Sequence, residues 1–93
     1  MTTLVDTLNI TREETLSLHY RAAMAELKEH IKNKPLTTKY DIFSGCVSFD
    51  IATEIAHRFN SKGVKTTLNK TGLLKTTYYL TIDLSLPDNL THK

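Results

Sequence analysis

Cys46 is the one residue in this chain with the makings of a nucleophile. It stands just ahead of a helix start at Ser48, and a helix N-terminus lowers a thiol pKa and favours the reactive thiolate. A thiolate alone does not make a catalyst, because it needs an oriented base within hydrogen-bond reach. His57 falls two to three turns along the following helix, too far away to serve. Cys46 is therefore expected as a small buried thiol at a strand–helix junction. The four histidines are no better placed. His19 and His30 share a helix face but lie roughly 16 Å apart by helical rise, beyond the span of one metal ion. Glu13 with Glu14, and Glu26 with Glu29, are the close carboxylates, and all four lie on the first helix as caps or solvated charge. Gly63 and Gly72 are isolated, so no phosphate-cradling loop is written. The expectation is a protein that is not an enzyme, with no catalytic, cofactor-binding or metal-ligating residues.

Charge is more informative. Between Ile55 and Ile82 there is no Asp or Glu, while Arg58, Lys62, Lys65, Lys70 and Lys75 all fall inside that window. The first thirty residues carry Asp6, Glu13, Glu14, Glu26 and Glu29 against Arg12, Arg21 and Lys28. The chain is thus polarised, with a basic second half. A cationic hairpin with Tyr79 beside it suits phosphates and a stacked base, so nucleic acid is one candidate partner. Lysines on an edge strand also prevent sheets from joining edge to edge. A formal charge of only +2 over the whole chain is a weak footprint for nucleic acid.

Apolar residues in excess of one small core point to a protein contact. Leu4, Val5 and Leu8 crowd the first ten residues, Leu18 lies off the main stripe of the first helix, and Leu90 sits in the tail. Exposed apolar segments mark partner surfaces. The alternative is that arm and tail fold back as core cover.

The elements that hold these residues follow from periodicity. Residues 1–10 are expected as a short arm. A helix should begin at Thr11, where Thr11 and Glu14 have capping-box spacing. Leu16, Tyr20, Ala23, Leu27 and Ile31 give it one apolar stripe over about five turns, and Pro35 forbids continuation. Lys39–Ser44 reads as a short strand with Tyr40 and Ile42 on one face. The second helix runs from about Ser48, an N-cap, to Asn60. Ile51, Ile55 and Phe59 repeat every four residues along it, and Gly63 closes it. Val64, Thr66 and Leu68 form the next strand face, and Asn69–Gly72 the hairpin loop. Tyr78, Leu80, Ile82, Leu84 and Leu86 then alternate with Tyr79, Thr81, Asp83 and Ser85, which is the period of a half-buried strand. Pro87 ends it, leaving residues 88–93 as a polar tail.

The expected fold is α+β in the order α-β-α-β-β: a long N-terminal amphipathic helix and a small three-stranded mixed sheet covered by the second helix. A right-handed crossover makes the first two strands run in the same direction, and the long last strand belongs in the centre, antiparallel to both. Residues 11–87 form the single domain.

Ninety-three residues with 40% hydrophobic content make one small domain with a thin stability margin. One cysteine rules out an internal disulfide and suits a reducing compartment. No apolar run is long enough to span a bilayer, and residues 1–10 lack the features of a secretory signal, so no membrane partner is expected. Three Asn-x-Thr triplets occur among fifteen threonines and carry no weight without a secretory signal.

The segment FDIATEIAHRFNSKGVKTTL, followed by YYLTIDL at residues 78–84, resembles a helix–hairpin unit of small α+β proteins of tailed bacteriophages. The likeness lies in a helix of IA..IA..F type, a terminal Lys-Gly and a closing YYLTI strand. It leaves the first 35 residues uncovered and carries no active-site residues. It implies a virion component or an accessory or inhibitor protein, in the host cytoplasm or the virion, that acts through a protein partner or a homo-oligomer. Together these observations give a non-enzymatic protein-binding domain as the leading expectation, and a nucleic-acid-binding protein using the basic hairpin as the alternative.

Overall fold

The computed structural model describes residues 3–85. Helix α1 (Leu4–Asn33) is followed by strand β1 (Lys39–Ile42), helix α2 (Phe49–Ser61), and the hairpin of β2 (Lys65–Thr71) and β3 (Thr77–Asp83). This is the expected α+β order. The strands lie in the order β1-β3-β2. Both pairings are antiparallel, with Ile42 opposite Leu80 and Leu68 opposite the same residue from the other side. The sheet expected as mixed therefore has antiparallel ladders only. Strands β1 and β2 do run in the same direction, as the crossover requires, but β3 separates them.

Period two decides what each strand buries. Tyr40 and Ile42 of β1, Thr66 of β2, and Leu80 and Ile82 of β3 lie on the one buried face of the sheet, where α2 packs on β2 and β3 and α1 packs on β1. Ser48 caps α2, its hydroxyl accepting from the Ile51 amide at 3.3 Å. The four-residue repeat then presents Ala52, Ile55, Ala56 and Phe59 to the sheet, all buried. Phe59, Ile42, Ile55, Leu80 and Ile82 are the largest fully buried side chains. Removing one such side chain, as in Phe59→Ala, costs about 3–5 kcal/mol. Gly45 makes the turn between β1 and α2 at a φ of +82°. A Cβ there would run into the His19 carbonyl, so the turn seats directly on α1.

Helix α1 departs most from expectation. It starts at Leu4, not Thr11. Thr3 is the N-cap: its hydroxyl accepts from the Asp6 amide at 3.0 Å, and the Asp6 carboxylate accepts from the Thr3 amide at 3.4 Å. Thr11, expected as the cap, instead donates its hydroxyl to the Thr7 carbonyl at 3.1 Å. Residues 4–10, expected as a separate arm, are the first two turns of the helix. Only Ala23 and Leu27 are buried, with Tyr20, Met24 and Ile31 half-buried around them. A helix of about 45 Å by residue rise thus docks by its middle and C-terminal parts, and its leading turns project from the body. The longest molecular dimension is 57 Å.

Two polar contacts pin the docked part. The Glu26 carboxylate accepts from the Phe43 and Ser44 amides at 3.1 and 2.7 Å, and its other oxygen meets the His30 ring at 2.9 Å. Burial alone would raise the Glu26 pKa, but hydrogen bonds from Ser44, His30 and Phe43 outweigh it and hold the carboxyl below its ordinary 4.5. Nearer the projection, Arg58 of α2 reaches both Glu13 oxygens at 2.9 and 3.0 Å.

Candidate protein-contact surface

The projecting turns of α1 gather three of the five residues expected to contact a protein. Leu4, Val5 and Leu8, joined by Ile10, are between 55 and 73% exposed. At 100° per residue, Leu4, Leu8 and Leu18 fall within one stripe about 80° wide, away from the face that carries Ala23 and Leu27. Leu18 is exposed further along the same stripe. Leu90 lies outside the described residues.

Thr11 and Thr15 sit between the leucines on this stripe. Their hydroxyls donate to the carbonyls of Thr7 and Thr11 at 3.1 and 2.9 Å. These hydroxyls are satisfied within the helix, so a partner could cover the stripe without stranding them. That matters because an orphaned buried hydroxyl opposes association.

The basic set expected for nucleic acid is dispersed. Arg58 is held by Glu13 and, through Nε at 3.0 Å, by Glu54. The Lys62 ammonium sits 4.9 Å from the centroid of the Tyr20 ring. Lys65 and Tyr79 lie on the open face of the sheet. Lys65 pairs in register with Asp83, and Tyr79 stacks on Phe43 at 4.9 Å. Lys70 has the opposite parity and points to the α2 face, across from Tyr78. Lys75 stands in the hairpin loop between β2 and β3. Asp41 and Asp83 share the open face with Lys65. Hydrogen bonds from Asn69 to Thr81 at 2.8 Å and from Thr81 to Asp41 at 2.9 Å cross its centre. The six residues do not form one cationic surface.

Cys46 is buried, its Sγ facing the carbonyls of Ile42 and Ser44 at 3.7 and 3.8 Å. Burial, with help from the Glu26 charge, pushes its pKa up to about 11. The thiol is thus protonated at neutral pH, the opposite of nucleophile activation. Among the described residues no group of three His, Cys, Asp or Glu is placed to hold a metal ion. No helix among them is long and apolar enough to cross a membrane.

Several exposed apolar residues escaped the sequence reading. Leu73 and Leu74 are fully exposed at the hairpin tip, and Val47 and Phe49 stand out at the start of α2. Phe49 meets Tyr78 edge-on at 5.9 Å. These two rings, with Leu68, Asn69 and Lys70, line an open concavity of about 280 Å³. Period-two alternation places Leu68 and Lys70 on one face of β2, but only tertiary packing shows which residue of α2 lies over them.

No protein-family model, curated protein or solved structure matches the chain.

Proposed function

We propose that this protein is a non-enzymatic protein-binding domain whose working surface is the projecting N-terminal part of α1. One observation carries this reading: Leu4, Val5, Leu8 and Ile10 are exposed on a capped helix that has left its own core. An apolar side chain buries about 1.5–3 kcal/mol of transfer free energy when covered, so these residues gain most from a partner. The protonated, enclosed Cys46 thiol adds support by removing the best candidate nucleophile. The resemblance of residues 49–84 to tailed-phage proteins favours a virion component or an accessory or inhibitor protein, working in the host cytoplasm or the virion. Nucleic-acid binding becomes the weaker reading because Arg58 is neutralised and Lys65 and Lys70 point to opposite faces.

The test is site-specific photocrosslinking in cells that make the protein. A crosslinker at Leu8 should give a discrete protein adduct that disappears when Leu4 and Leu18 are changed to aspartate. The same group at Leu36, exposed on the connection between α1 and β1, is the control and should give none. Equal adducts from both positions, or none from Leu8, would overturn the proposal.

A further inference from the structure

Beyond the helix surface, the outer edge of β2 has the form of a second binding site. Among the described residues β2 is an edge strand, bonded to β3 on one side only. The Asn60 side chain binds both backbone groups of Thr66. Its Oδ1 accepts from the Thr66 amide at 2.9 Å, and its Nδ2 donates to the Thr66 carbonyl at 3.1 Å. Both Thr66 groups must therefore point away from β3. Ladder alternation gives Leu68 and Lys70 the same outward orientation. Among the described residues neither has a backbone partner on that side. The Asn60 amide occupies the place that a peptide unit of a neighbouring strand would take, and it ends the free edge at Thr66.

The side chains of these two open residues line the concavity beside Phe49 and Tyr78. Lys70 is one of its lining residues, Lys75 follows in the hairpin loop, and the sequence has no carboxylate between Glu54 and Asp83. Three features thus meet at one place: unpaired backbone, a recess walled by Phe49, Tyr78 and Leu68, and the Lys70 ammonium, which has no ion-pair partner among the described residues.

We propose that this edge takes up a short extended segment of another protein, added antiparallel to β2. Strand addition of this kind draws affinity from main-chain hydrogen bonds and specificity from pockets for alternate side chains. The register specifies the ligand. The residue opposite Leu68 points into the recess and is apolar. The residue opposite Lys70 lies on the same face, two positions earlier in an antiparallel segment, and is acidic. The motif is acid-x-apolar, and the segment leaves the edge where Asn60 begins.

The test uses the whole protein and a fluorescein-labelled octapeptide with aspartate two residues before phenylalanine and threonine elsewhere. Fluorescence anisotropy should show saturable binding, and the Leu68 and Lys70 amide resonances should shift. Methylating the phenylalanine amide removes the N–H that faces Leu68 and should weaken binding at least tenfold. Lys70→Glu, at an exposed position, should reverse the preference, so that a peptide with lysine in place of aspartate binds at least tenfold better than the original. Absence of binding at millimolar peptide would overturn the proposal, as would binding indifferent to both the methyl group and Lys70→Glu. Self-association of the protein that competes with the peptide would assign the edge to a second copy, which also overturns it.

Discussion

Glu26→Ala should destabilise the domain by about 2 kcal/mol, most of it from two backbone amides. In the folded protein the Phe43 and Ser44 N–H groups end on one carboxylate oxygen at 3.1 and 2.7 Å. Hydrogen bonds to a charged acceptor are worth about 1.5–3 kcal/mol each when enclosed. The Glu26 side chain keeps 20% exposure, and water can reach the freed amides, so about 1 kcal/mol each is the discounted value. In a domain of this size, about 2 kcal/mol lowers Tm by roughly 10 °C. Glu26→Gln keeps an oxygen for the two amides but not the charge, and should lose about half as much. The assay is urea unfolding followed by helical circular dichroism, since the chain has no Trp. The acid limb adds an independent check. The folded pKa lies below the ordinary 4.5, so the unfolded chain holds the proton more tightly. The carboxylate's contribution is therefore complete above the unfolded value and is lost as pH falls through the folded one. The gap between the native protein and Glu26→Gln should be full at pH 7 and close in acid below that folded value. A Glu26→Ala protein as stable as the native one, or a gap that persists at low pH, would refute the reasoning.

Two other predictions concern stability and reactivity. Gly45→Ala should cost well over 2 kcal/mol, because its φ of +82° is strained for alanine and its Cβ meets the His19 carbonyl; Gly63→Ala has a similar φ of +85° but open space and should cost only about 1 kcal/mol, so equal losses on thermal melting would contradict the turn geometry. Cys46 should alkylate with iodoacetamide at least tenfold more slowly in the native protein than in urea at pH 7.4, because its thiol is enclosed and its pKa is about 11; comparable rates would mean that the thiol is open.

The sequence was most legible where local signals and burial agree. Ser48, the Ile51–Ile55–Phe59 repeat and Gly63 framed α2 to within a residue or so, because cap, apolar stripe and stop coincide there. The alternation from Tyr78 to Ile82 placed β3 correctly in the centre. The start of α1 was misread because Thr11 and Glu14 imitate a capping box, while the true pair, Thr3 and Asp6, precedes turns with no buried stripe to announce them. For the proposed contact surface, the apolar excess of Leu4, Val5 and Leu8 was visible without its geometry. The β2 edge was not legible at all. It depends on the reach of Asn60 from the end of α2 and on Phe49 lying beside Tyr78, neither of which leaves a local trace. The basic window reads as one patch in the sequence for a related reason: strand alternation, which sends Lys65 and Lys70 to opposite faces, and the pairing of Arg58 with Glu13, far off in sequence, and with Glu54, one turn back, appear only in the fold.

The leading turns of α1 have a thermodynamic consequence. With so little packed against them, they are helical on local terms, and a short helix in water is marginal on those terms alone. Any partner that recognises the helical form sees only the fraction of molecules in which it is wound, so its apparent dissociation constant is the intrinsic one divided by that fraction. The Thr3–Asp6 box raises the fraction without touching the partner. Affinity for such a partner would therefore be set in part by residues outside the contact, and would weaken on warming as the turns unwind, before the sheet and α2 begin to melt.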